Sequence, residues 1–297
     1  MKKVILAMVC LISWPLLAQD VPADSVKHWT VGGTSSFTFN QVSLTNWSAG
    51  GKNSLAGTFL VNTYLNYKKE KVNWDNVIDV GYGLTKQGSD NSIKTEDKLN
   101  LASKFGYSAG RSWFYSALLD FKTQMDVGYN DPPENTDKLS EFMAPAYLNF
   151  SFGMDYKPSD QFSLYLSPLT SKTTIVLDDS LSNEGAFGVK KGENFREEYG
   201  ASVKMTARKK DLVKNVDFTT RLDLFSNLDG IDNAKNIDVD CEMAFNMKVN
   251  AHLTTILSFH AIYDDDIKYK NKEGIDEGPR LQFKQLFGFG INYKFGK

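Results

Sequence analysis

The sequence predicts an all-β fold: a transmembrane antiparallel up-and-down β-barrel of about 12 strands, with short periplasmic turns and long external loops. Three observations predict it. Period-two alternation recurs along the chain and is cleanest at the carboxyl end. There Phe287, Phe289, Ile291, Tyr293 and Phe295 alternate with Gly288, Gly290, Asn292 and Lys294. One apolar and one small or polar face suit a strand with lipid outside and a polar interior. The connections between such runs alternate between short and long. The chain also opens like an export signal.

That opening places Lys2 and Lys3 before an apolar stretch from Val4 to Leu17, and Leu16-Leu17-Ala18 offers a small-residue cleavage site. Residues 1–18 therefore read as a cleaved signal peptide, 19–28 as a periplasmic tail and 29–297 as the barrel. Removal of Lys2 and Lys3 takes the formal charge from −2 to −4. Cys241 is then the one remaining cysteine, so no internal disulfide forms. No Lys/Arg run dominates, which excludes a nucleic-acid partner. At 41% hydrophobic residues the composition looks soluble. A barrel strand gives only half its residues to lipid, so that composition suits a barrel equally well.

The predicted strands follow in order. Val31–Phe39, Leu55–Tyr67, Trp74–Leu84, Leu99–Tyr107 and Trp113–Met125 come first. The faces Leu148 to Tyr156, Phe162 to Leu166, Tyr199 to Met205, Val216 to Leu224, Ile237 to Val249 and Thr255 to Tyr263 precede the terminal strand. Long loops are expected at Gln41–Ser54, Lys86–Asp97, Gly128–Met143, Pro168–Glu198, Asn227–Asn236 and Asp264–Leu281. An even number of strands puts both termini on the periplasmic side. Trp29, Trp74 and Trp113 start odd strands, while Tyr67, Tyr107 and Tyr156 end even ones. All six then fall at one level, as a periplasmic aromatic girdle requires. The strand lysines and aspartates fall on the non-lipid face, where a lysine near midplane would otherwise cost about 2–4 kcal/mol.

The inward charges are mixed. Asp217, Arg221, Asp223, Asp238, Asp240, Glu242 and Lys248 lie on neighbouring strands and predict a lumen charge network rather than a cation site. Near balance of sign suits a lumen closed by paired side chains more than a selective pore. Catalysis has one candidate, Ser258 with His260 on the same face, as in a lipid hydrolase, and no lipase motif surrounds it. Asp264-Asp265-Asp266 and Asp229–Asp232 lack the spacing of a dedicated calcium loop. Neither a metal nor a cofactor is expected.

Two segments carry a resemblance. Gln41-Val42-Ser43-Leu44-Thr45-Asn46-Trp47 is followed by Gly50-Gly51. Ser167-Pro168-Leu169-Thr170-Ser171-Lys172-Thr173-Thr174 is followed by Gly185-Ala186-Phe187-Gly188-Val189. With the terminal strand, these resemble an outer-membrane family of Gram-negative bacteria catalogued as domain-of-unknown-function family 3078. The resemblance implies a barrel in the outer membrane and assigns no activity. Both segments are expected in external loops, where Trp47 and Phe187 would pack the loops, cover the barrel mouth as a lid, or dock a partner.

The expected activity is passage of small solutes across the outer membrane. The alternatives are a non-transporting barrel serving an envelope complex as subunit or docking platform, and the lipid hydrolase. Expected partners are outer-membrane lipid, an envelope protein, and the barrel-assembly machinery, which would read Phe287, Phe289, Ile291, Tyr293 and Phe295 as its signal.

Overall fold

The computed structural model describes residues 28–45, 51–129, 137–229, 233–250, 252–270 and 276–296. The expected signal peptide, most of the amino-terminal tail, and Asn46, Trp47 and Gly50 lie outside them.

The strands are β1 (Trp29–Val42), β2 (Ser54–Lys69), β3 (Val72–Gln87), β4 (Ile93–Gly110), β5 (Trp113–Thr123), β6 (Gly128–Tyr129), β7 (Lys138–Ser140), β8 (Ala146–Ser159), β9 (Phe162–Ile175), β10 (Phe195–Val213), β11 (Val216–Asn227), β12 (Ile237–Lys248), β13 (Leu253–Tyr263), β14 (Lys268–Lys270), β15 (Asp276–Pro279) and β16 (Gln282–Gly296). Twelve of them close one antiparallel barrel in sequence order. The short pairs β6–β7 and β14–β15 lie in loops. Closure runs from Gly32↔Gly296 to Thr38↔Gly290, so β1 and β16 leave no backbone edge unpaired over that span.

The alternation maps onto two environments. Phe37, Phe59, Ile78, Leu119, Phe150 and Phe289 face outward and are each more than two-fifths exposed. Inward neighbours such as Ser36, Thr38, Ser116, Ser151 and Thr254 are buried. In water so continuous an apolar exterior would drive aggregation; hydrocarbon is the solvent it fits. Among the described residues, charges on the outward register lie near strand ends, as at Lys69, Lys86, Glu197 and Lys209. One outward polar group has local partners: the Ser103 hydroxyl accepts from Trp74 Nε1 at 2.9 Å and donates to Asn76 Oδ1 at 2.7 Å. Lipid offers no such partners.

Two expected loops are corrected. β3 runs to Gln87 and β4 starts at Ile93, so the expected loop Lys86–Asp97 shrinks to residues 88–92. β9 runs to Ile175 and β10 starts at Phe195, so Lys172, Thr173 and Thr174 sit in a strand and not in an external loop. The cause is a β-bulge. On one side the register jumps between Phe152↔Leu169 and Met154↔Leu166; on the other, between Gly200↔Thr170 and Ser202↔Ser167. The one extra residue at Ser167-Pro168 reverses the parity of the strand. Leu164, Leu166 and Leu169 face out, whereas Thr170, Lys172 and Thr174 face in. Proline is tolerated here because a bulge needs no ladder donor. Ser167 Oγ bonds the carbonyls of Phe152 at 2.7 Å and Leu169 at 2.8 Å, and Thr170 Oγ1 donates to Ser167 Oγ at 3.0 Å. A period-two pattern stops at a bulge, so alternation alone ends this strand at Leu166 and places Lys172 in a loop.

Candidate functional site

The lumen is crossed by ion pairs. Arg221 on β11 reaches Asp79 on β3 at 3.2 Å, and Lys98 on β4 reaches Glu242 on β12 at 3.6 Å. Each of these pairs joins strands half-way round the closed order of the barrel. Between them Lys122 on β5 contacts Asp223 at 3.0 Å and Asp240 at 2.9 Å. Lys204 on β10 contacts Asp120 at 2.6 Å and Asp223 at 3.0 Å. His260 Nε2 lies 2.8 Å from Asp240 Oδ1. These groups form one lattice across the middle of the barrel.

Smaller clusters flank the lattice. At the long-loop end Lys172 lies 2.6 Å from Asp238, 3.7 Å from Asp264 and 3.8 Å from Glu198. Arg196 there binds Glu198 at 2.9 Å and Asp266 at 2.7 Å. Carboxylate oxygens of Asp238, Asp264 and Asp266 lie within 4.8 Å of one another, but Lys172 and Arg196 already engage all three residues. At the short-turn end Lys157 pairs with Asp75 at 2.6 Å, and Lys104 with Asp155 at 2.7 Å. Asp217 there pairs with Lys248 at 2.8 Å and Lys294 at 3.3 Å.

The lattice divides the lumen into two chambers. The chamber at the long-loop end has a volume of about 680 Å³, and that at the short-turn end about 200 Å³. Asn100, Lys122, Lys204 and Asp223 line both, so a single layer of side chains separates them. The larger chamber is within the usual size range of a small-molecule site. Its lining carries seven acidic and five cationic residues, against five acidic and six cationic in the smaller one, so the two mouths differ in sign.

A folded cap borders the larger chamber. Ala144, Val176, Leu181 and Val189 form its apolar core, with Ala186 and Phe187 packed against it. Asp178 Oδ1 accepts from the Leu181 N–H at 2.9 Å and caps the short helix Asp179–Glu184, which ends at Gly185 in the left-handed conformation (φ 74°). Lys138 Nζ lies 2.6 Å from both Asp178 and Glu141 and ties this cap to the neighbouring loop. Hydrogen bonds from the Lys138 ammonium and the Leu181 N–H hold the Asp178 carboxyl below its ordinary 3.8. The same contact with Asp178 raises Lys138 above its ordinary 10.5. A depressed carboxyl stabilises the fold above its unfolded pKa and loses that contribution as pH falls through the folded one. A raised ammonium loses its contribution only as pH climbs past its folded value. The cap should therefore stay anchored between about pH 4 and pH 10 and loosen below. Limited proteolysis of residues 176–194 should accelerate at pH 3 relative to pH 7; equal rates would dissociate the cap from this anchor.

The sequence-predicted residues divide accordingly. Arg221, Asp223, Asp240 and Glu242 join the central lattice, Asp238 joins the Lys172 cluster, and Asp217 and Lys248 form a separate pair at the short-turn end. For the partners on the far wall, Asp79, Lys98, Asp120 and Lys122, and for Lys204, the register partner of Asp223, the sequence specifies only an inward direction. Alternation fixes which way a side chain points but not what it meets across a lumen. Phe187 lines the larger chamber and packs on the cap core. Gly188 has φ 80°, and Gln41 and Gly51 are exposed. Trp29 stacks near Tyr67 and Trp74 (centroids 5.0 and 5.9 Å), and Trp113 near Tyr156 (4.9 Å). With Tyr107, whose register partner is Tyr115 on β5, these rings gather at the short-turn end. His260 gives Nε2 to Asp240, and among the described residues no hydrogen bond joins it to Ser258. Phe287, Phe289, Ile291 and Tyr293 are exposed on the outer face of β16, with Phe295 on the same register and half-buried.

Residues 39–129 match the family described as protein of unknown function, DUF3078. This is the family that the sequence resembles. The matched span contains the Gln41–Gly51 segment and strands β2 to β5, while the Ser167–Val189 segment lies beyond it. No curated protein matches the chain. Among solved structures it is similar to the COG4313 outer membrane channel from Pseudomonas putida F1 at 10% identity and a TM-score of 0.40, covering 93% of this chain and 100% of that one. The translocator domain of the autotransporter NalP from Neisseria meningitidis is similar at 8% identity and a TM-score of 0.37, with 92% and 90% covered. The outer membrane channel DcaP of Acinetobacter baumannii has 10% identity and a TM-score of 0.32, with 90% and 95% covered.

Proposed function

We propose that this DUF3078 barrel lies in the outer membrane and passes small polar solutes through a lumen gated by its ion pairs. The short-turn end, with both termini and the Trp29–Trp74 girdle, faces the periplasm. The capped chamber faces outside. The observation that carries this reading is the single shared layer, Asn100, Lys122, Lys204 and Asp223, between a chamber at each mouth. Side chains held by charge can part and re-form, whereas a folded plug has to leave. Salt screens such pairs, so gating should depend on ionic strength.

The test is reconstitution into planar bilayers. Small conductance steps are expected that grow faster with salt than the bulk solution does. Silence at every salt concentration, with no solute flux into liposomes, would end the passage model. A second reading, a docking platform for an envelope protein, draws on Leu139, Phe142 and Leu177, apolar residues of the cap region that are about half exposed. Cross-linking from those positions in cells would recover a heterologous partner; a purely monomeric product opposes it. Insertion by the assembly machinery through the outer face of β16 belongs to either reading.

A further inference from the structure

Among the described residues, one cation in this charge-paired lumen is left over. Of the cationic side chains that line the two chambers, Arg208 alone among the described residues has no carboxylate within 4.0 Å. It lies on the inward register of β10, opposite Thr219, and lines the smaller chamber. The carboxylates that act most strongly on it are Asp79 and Asp75. Both are taken: Asp79 by Arg221 at 3.2 Å and Asn62 at 2.7 Å, Asp75 by Lys157 at 2.6 Å and Asn73 at 3.0 Å. A second guanidinium, Arg221, is also in reach and adds to the positive field.

The same chamber carries two orphaned acceptors. Asn66 Oδ1 and Asp75 Oδ1 are buried without a hydrogen-bond partner, and both residues line the chamber. They are register partners on β2 and β3, on the far wall from β10. A guanidinium fork with no carboxylate is a ready receptor for a planar oxyanion. Two unpaired acceptors in the same chamber call for a donor on the same molecule. We infer that the periplasm-facing chamber binds a small carboxylic acid that also bears a hydroxyl or amino group, its carboxylate on Arg208 and its donor on Asn66 or Asp75. The ligand class deepens the passage reading above, and only its role in transport rests on that reading; the binding does not.

Calorimetric titration of the folded barrel in neutral detergent tests it, with sodium lactate as the hydroxy acid and sodium acetate as the plain one. Saturable binding is expected for both, tighter for lactate. Arg208→Gln should weaken it by roughly ten- to a hundredfold, the scale of a charge-assisted hydrogen-bond pair, and Arg208→Lys by less. Heat-modifiable migration on gels checks that each variant still closes its barrel, and Arg208→Lys keeps the test valid if Arg208→Gln does not fold. No binding by the parent protein, or binding that the Arg208 variants leave unchanged, would overturn the site. Equal affinity for the two acids would overturn the part assigned to Asn66 and Asp75. A barrel that conducts without binding either acid fails this inference alone, and one that binds lactate without conducting fails the passage reading alone.

Discussion

Lys122→Ala should turn the closed lattice into a conduit, with bilayer conductance several-fold above the parent and a preference for cations. The Lys122 side chain crosses from β5 to β11 and β12, and its ammonium holds Asp223 at 3.0 Å and Asp240 at 2.9 Å. Truncation removes one of the four side chains that separate the chambers and leaves those two carboxylates short of one cation. Lys204 still serves Asp223, and His260 still serves Asp240, so the lattice is weakened rather than abolished. Breaking a fully buried pair costs about 3–5 kcal/mol. Here the side chains keep roughly a sixth to a third of their exposure, and water can take part of the charge. A loss of about 1–3 kcal/mol is expected in detergent unfolding. Lys104→Ala is the control. Its partner Asp155 lies only two strands away, so that pair does not bridge the lumen. It should lower stability without raising conductance. Equal conductance of the Lys122 variant and the parent would show that the lattice is not the barrier.

Gly153→Val should prevent most of the protein from reaching the folded barrel. A Cβ at Gly153 would fall inside contact distance of the Leu166 carbonyl oxygen and 2.8 Å from Ser167 Cα, both backbone atoms of the bulged strand that cannot step aside. The bulge then has to straighten or its strands separate. A straightened β9 keeps the parity of Leu164 and Leu166, which sends Lys172 to the lipid face. That exchange gives up the contacts to Asp238, Asp264 and Glu198 and adds about 2–4 kcal/mol for a lipid-facing lysine if it lies near midplane. Ser167→Ala is the graded comparison. It removes the hydroxyl bonds to Phe152 and Leu169 and should cost about 1–2 kcal/mol while the barrel still closes. Heat-modifiable migration and detergent unfolding read both variants. A Gly153→Val protein as stable as the parent would mean that the bulge does not set the direction of β9.

The sequence by itself determined a barrel of about twelve strands, their antiparallel order and which residues face lipid in the runs that alternate without a bulge. The reason is local: in an extended chain each side chain's direction follows from its neighbour's, and hydrocarbon rejects charge on every outward position. Phe287 to Phe295 could be read without knowing any partner strand. Only the tertiary structure decided what the inward charges do. Lys122 and Asp223 are 101 residues apart, and Arg221 and Asp79 are 142 apart. Closing the barrel brings them together, and no local pattern encodes that distance. The bulge at Ser167-Pro168 belongs to the same class. It is defined by a mismatch with strands on both sides, so the parity that carries Lys172 into the lumen becomes visible only once β8 and β10 are in place.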